Sequence, residues 1–152
     1  MIEFKRILHP SDFSDSGSAS LSAACELAIR FGAELHLLHV VQDLAAIAAY
    51  GIAETYLPPE WREEIRQQAE KTLQKLPPAA AAGTLKIVRA IAEGAPYFEI
   101  VEYARQQSID LIVMGTHGRT GLPHLFLGSV AERVVREAPC AVLTIRPKSP
   151  SP

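Results

Sequence analysis

Ile109-Asp110-Leu111-Ile112-Val113-Met114-Gly115-Thr116-His117-Gly118-Arg119 is the stretch on which the fold turns. Residues 109–114 are a compact apolar run and predict a strand. The chain then enters a loop with glycines at 115, 118, 121 and 128. Gly128-Ser129 opens a segment with apolar residues at Val130, Val134 and Val135, which predicts a helix over 129–137. Downstream, residues 140–145 read as a last strand, and residues 148–152 as a disordered tail.

The same alternation runs upstream. Residues 96–107 predict a helix with Pro96 in its first turn, where a missing N–H costs little. Residues 85–91 predict a strand, and 77–83 a breaker stretch. Residues 60–76 predict an amphipathic surface helix with Trp61, Ile65, Ala69, Leu73 and Leu76 facing inward. Residues 42–59 are less regular, with a short helix expected over 44–49 before Pro58-Pro59. Residues 34–41 are almost continuously apolar, as a strand buried on both faces would be. Gly32 sits where a helix over 16–31 needs its C-terminal glycine, and Asp12, Ser14 and Asp15 offer caps at the other end. Residues 4–8 predict the first strand. Strictly alternating strands and helices imply a doubly wound, five-stranded parallel α/β sheet with helices on both faces. Residues 1–147 are expected to form one domain.

Composition narrows the partners. The chain has 152 residues, 48% of them hydrophobic and 21% charged, with a formal net charge of −2. That balance gives no basic surface for nucleic acid. No apolar run reaches the length of a membrane span, and residues 1–6 lack a signal-peptide core, so a cytoplasmic protein is the expectation. Cys25 and Cys140 form no CxxC pair and read as small packing residues. His36 and His39 stand three apart in a strand, which points them to opposite faces and argues against a shared metal.

The 115–129 loop carries the chemistry. A helix N-terminus presents unpaired N–H groups and the positive end of a dipole. Glycines let those groups approach an oxygen closely, and Ser129 adds a hydroxyl. The loop is neither a Walker A motif nor a GxGxxG fingerprint, and by its glycines alone it reads first as a plain strand-to-helix turn. If the strand order is 3-2-1-4-5, the order reverses between strands one and four, where doubly wound sheets hold ligands. The loop Leu8-His9-Pro10-Ser11-Asp12-Phe13-Ser14 would then face the Gly115 loop, with Asp12 either capping the first helix or accepting hydrogen bonds from a nucleotide.

Gly115-x-x-Gly118, nine residues and then Gly128-Ser129 resembles the nucleotide loop of the ATP-binding branch of the universal stress protein family. Residues 7–14, 37–40 and 109–115 resemble that family's first, second and fourth strands, so the resemblance covers essentially the whole chain. It implies an adenine nucleotide α-hydrolase-like fold and an ATP cofactor, with Mg²⁺ bridging the phosphates. By position it implies that Asp12 meets the adenosine, with Pro10 and Ser11 lining that side. Val40 would meet adenine through its backbone, and Met114 and Gly115 would line the ribose. Gly118, Gly128, Ser129 and Val130 would hold the phosphates, with His117 and Arg119 near them. Arg119 reads otherwise as a solvated loop arginine. The resemblance also implies a homodimer through the last strand, Ala141–Ile145, whose alternative is an edge covered by the tail.

Three functions fit these residues. A nucleotide-dependent signalling or stress-response protein matches a phosphate cradle that has no Walker lysine and no GxSxG. A slow ATPase or phosphotransferase would use Asp12, His117 and Arg119 around the γ-phosphate. An α/β interaction module would use the glycines only as a turn.

Overall fold

The computed structural model describes residues 1–42, 58–117 and 127–147. Its five strands are β1 (Arg6–Pro10), β2 (Glu34–Gln42), β3 (Ile87–Gly94), β4 (Leu111–Gly115) and β5 (Ala141–Ile145). They form one parallel sheet in the order β3-β2-β1-β4-β5. Parallel neighbours need crossovers, supplied here by α1 (Ser18–Phe31), α2 (Pro59–Gln74), α4 (Pro96–Gln106) and α5 (Ser129–Glu137), with a one-turn α3 (Ala79–Ala82). The parallel sheet expected from the alternation is observed, and its order is the 3-2-1-4-5 on which the expected crevice depended. The expected short helix at 44–49, the tail at 148–152, and Gly118, Arg119 and Gly121 lie outside the described residues.

Strand alternation splits the core in two. Ile7, Leu35, Leu37, Leu111 and Val113 point to one face and pack with Leu21, Ala24, Cys25 and Ala28 of α1 and Leu73 of α2. Leu8, Leu38, Ile112 and Met114 point to the other, against Ile100 and Ala104 of α4 and Ala131 and Val134 of α5. Each fully buried leucine or isoleucine contributes about 1.5–3 kcal/mol relative to exposure. Cys25 is buried in the first cluster and Cys140 packs against the second, as small packing residues do. Arg133 of α5 lies over the Tyr97 ring of α4, 4.5 Å from its centroid, and ties together the two helices on that face.

Several expectations move. β1 lies two residues later than the apolar pattern suggested, because Phe4 leaves the sheet to pack edge-on against Phe31 at 5.0 Å. β4 begins at Leu111 rather than Ile109, since the N–H groups of Ile109 and Asp110 are bonded to Ala104 and Arg6 before the ladder starts. Trp61 and Ile65 were expected inward but are 56% and 41% exposed; on α2 only Ala69 and Leu73 are buried. Periodicity identifies the apolar stripe, not how far along it the sheet extends. Arg89 of β3 marks where the helix docks, donating to the Leu73 and Leu76 carbonyls at its C-terminal end. Val135 is likewise exposed, while Val134 is buried.

Candidate nucleotide site at the strand-order reversal

β1 and β4 pair over only Ile7↔Leu111 and Leu8↔Ile112. Beyond them β1 stays with β2 as far as Pro10↔Leu38, and β4 stays with β5 as far as Gly115↔Ile145. The sheet therefore splits at its carboxyl end between β1 and β4, the place where an open α/β sheet offers a crevice.

One wall is the loop 10–14. Its backbone is tied to β2 by Ser11 N–H to the Leu38 carbonyl at 2.8 Å. His39 Nδ1–H donates to the Ser11 carbonyl at 2.7 Å, and the His39 ring stacks on Phe13 with centroids 4.0 Å apart. Phe13 adopts φ +62°, a left-handed conformation that costs a bulky residue about 1–3 kcal/mol and persists only where the surroundings enforce it. Asp12 is not a helix cap. Its Oδ1 accepts Ser14 N–H at 2.9 Å and Ser14 Oγ–H at 2.5 Å, closing a turn on itself. A 3-10 turn, Asp15–Gly17, then leads into α1, whose N-cap is Gly17 with no side-chain bond. Short polar side chains close local turns as readily as they cap helices, so spacing alone could not separate the two outcomes.

The opposite wall is the end of β4. Thr116 N–H bonds the Ile145 carbonyl at 3.0 Å, and the Thr116 carbonyl accepts Gly128 N–H at 2.6 Å. This second bond draws the start of α5 onto the end of β4. Gly128 is the N-cap of α5, extended at φ −65° and ψ 158°, and it has no side chain with which to cap the first N–H groups. Thr116 Oγ1 is hydrogen-bonded to His117 Nδ1 at 2.9 Å. A Cβ on Gly115 would stand 3.4 Å from the His117 carbonyl, 3.8 Å from Ser20 Oγ and 4.0 Å from the Ser16 carbonyl. These are ordinary contact distances, and they place the end of β4 beside the start of α1, next to the Asp12 turn.

The structure brings Pro10, Ser11, Asp12, Gly115, His117, Gly128, Ser129 and Val130 to this one end of the sheet, with Val40 near the end of β2. Met114 is only 6% exposed and its side chain belongs to the core, so it offers the crevice its backbone. Gly118 and Arg119 lie outside the described residues. His9 and Thr116 were not singled out by the sequence, and His39 was weighed only as a metal ligand, because its bond to Ser11 and its stacking on Phe13 leave no spacing signal.

His9 and His36 show how burial sets protonation here. His9 is 2% exposed, and burial outweighs the Val113 carbonyl and the Asp12 charge, lowering its pKa to about 4. His36 is also lowered by burial, against the pull of Glu34. It donates from Nε2 to Glu34 at 2.8 Å and accepts the Tyr103 hydroxyl at Nδ1 at 2.9 Å. His36 and His39 point to opposite faces, as their spacing implied.

Comparison with known proteins agrees with this architecture. Residues 3–146 match the model of the universal stress protein family. Universal stress protein MJ0531 of Methanocaldococcus jannaschii is 37% identical over 145 residues, covering 94% of this chain and 82% of the relative. The solved structure of hypothetical protein MJ0577, from the same organism, superposes with a TM-score of 0.82 at 26% identity, covering 98% of this chain and all of that one. A universal stress protein solved in complex with cAMP superposes with a TM-score of 0.65 at 25% identity, covering 97% of this chain and all of that one. This chain belongs to the universal stress protein family.

Proposed function

We propose that this protein binds ATP in the crevice between the Asp12 turn and the Gly115–Ser129 loop, and that nucleotide occupancy is its signal in a stress response. The observation that carries the reading is the Gly128 N–H to Thr116 carbonyl bond. It sets a helix N-terminus without a side-chain cap at the mouth of the split between β1 and β4. Backbone donors and a helix dipole in that place suit a phosphate group. The cAMP-bound family member supports an adenine nucleotide as the ligand class.

In this reading Gly118, Gly128, Ser129 and Val130 hold the phosphates through backbone N–H groups and the Ser129 hydroxyl, with His117 and Arg119 beside them. Asp12, oriented by its two bonds from Ser14, accepts from the adenosine, and Pro10 and Ser11 line that side. Val40 meets adenine through its backbone, and Met114 and Gly115 border the ribose. The donors that hold the phosphates are backbone N–H groups and a hydroxyl, so they suit a triphosphate whose charge is partly neutralised, the service a bridging Mg²⁺ would supply when bound. Residues 1–147 act as one domain. β5 forms a sheet edge with Leu143 37% exposed, and it pairs with its copy in a homodimer.

Isothermal titration with ATP and Mg²⁺ tests the reading. Saturable binding is expected, and Gly118→Ala with Gly128→Ala should weaken it roughly tenfold or more, since charge-assisted bonds contribute about 1.5–3 kcal/mol each. Absence of binding by the wild-type protein contradicts it.

A further inference from the structure

The split that opens the crevice needs a fixed width. Backbone pairing between β1 and β4 ends at Leu8↔Ile112. Beyond that pair, Pro10 has no N–H to donate, Ser11 N–H turns outward to Leu38 on β2, and Thr116 N–H turns outward to Ile145 on β5. The two strands are therefore bonded away from each other where the ligand would enter. His9 lies at the step between. Its Nδ1 is 2.9 Å from the Val113 carbonyl in a buried bond across the seam.

We infer that His9 is a positioning residue, a neutral imidazole whose Nδ1–H donates to the Val113 carbonyl and sets the separation of the two walls of the site. The inference rests on the nucleotide reading above and deepens it. The carbonyl can only accept, so Nδ1 must carry the proton. Burial keeps the ring uncharged at neutral pH. His9 is followed within three residues by Asp12 on one wall, and Val113 within two by Gly115 on the other. A change in the seam is therefore transmitted to both walls over a few bonds. Misplacement of donors by a fraction of an ångström is enough to weaken a multidentate ligand.

Substitution separates positioning from plain packing. In His9→Asn the side-chain N–H₂ hangs from the γ carbon, as Nδ1 does, and can still donate to Val113. His9→Leu fills similar space with no donor. Both variants and the wild type are titrated with ATP and Mg²⁺, with circular dichroism and thermal melts to confirm folding. His9→Leu should bind roughly tenfold or more weakly and His9→Asn within about threefold of wild type, the range set by one buried hydrogen bond. If wild type binds ATP and both variants bind equally well, the inference fails and the nucleotide reading stands. If wild type does not bind, the reading fails and takes the inference with it. Should His9→Leu not fold, nitrogen-15 NMR of the wild-type imidazole decides. An Nδ1-protonated neutral ring is expected, and a proton on Nε2 alone, or an imidazolium at pH 7, overturns the assignment.

Discussion

The two ends of this sheet are built on opposite plans. At the amino end, polar groups consume one another. The Asp110 carboxylate accepts the N–H groups of Lys5 and Arg6 at 2.8 and 2.9 Å, Arg6 donates to the Gln107 carbonyl just past α4, and Glu34 is held by Lys86 and His36. Helix C-termini arrive here, and α1 is closed by Gly32 at φ +62° with its N–H on the Ala28 and Ile29 carbonyls. At the carboxyl end, helices begin. The N-caps of α1, α4 and α5 are Gly17, Ala95 and Gly128, and none supplies a side-chain bond. The amino end also has a surface recess of about 570 Å³, lined by Lys5, Arg6, Glu34, Thr84, Lys86 and Asp110. Its carboxylates are already engaged, by the Lys5 and Arg6 N–H groups, Lys86 and His36, and it lies beside the C-terminal end of α1 rather than a helix start. Among the described residues, the helix starts without a side-chain cap lie at the carboxyl end, and the proposed site draws on them.

The contrast extends to the two buried histidines, and acidification sharpens it most. His9 at the carboxyl end is hydrogen-bonded to a carbonyl, with the Asp12 charge too weak to offset its burial, and has a pKa near 4, whereas His36 at the amino end is bonded directly to the Glu34 carboxylate. Because the folded pKa of His9 lies below the unfolded value of about 6.5, the unfolded chain takes up the proton first. Stability therefore falls as pH drops from about 6.5 to about 4 and changes little from this source outside that window. The shift corresponds to roughly 3 to 4 kcal/mol at most. His36, whose pKa is also lowered, acts with the same sign. Urea unfolding between pH 7 and pH 4 should show the loss, and His9→Asn should remove most of it. An unchanged slope in that variant would place the titration elsewhere.

Asp110→Ala breaks the other half of the comparison. It leaves two backbone N–H groups at the start of β1 without their acceptor and should cost about 1–2 kcal/mol in urea unfolding. ATP affinity should stay as in wild type, because the substitution is confined to the amino end. A tenfold fall in affinity alongside the lost stability would show that the two ends are coupled rather than separate.

The amino-acid pattern made the order of elements legible because each strand is short, apolar and followed by a helix of clear period. α5 was readable because Gly128-Ser129 marks its start and its apolar residues recur at helical spacing. The approach of the Gly115 loop to the Asp12 turn followed from topology alone. Three things were not legible. Asp12 closes a turn with Ser14 instead of capping α1, a choice settled by local geometry. Trp61 and Ile65 belong to the apolar stripe of α2 yet lie exposed, because coverage depends on the neighbour. His9 takes its meaning from Val113, 104 residues away, and no local period encodes such a pair.

The most direct test is to titrate ATP and Mg²⁺ into the nitrogen-15-labelled protein and follow its backbone amides. The account predicts that Asp12, Gly115, Thr116, Ser129 and Val130 shift with saturation, while Lys5, Arg6, Lys86 and Asp110 stay in place. Shifts concentrated on the amino-end residues, or none at all, would contradict it.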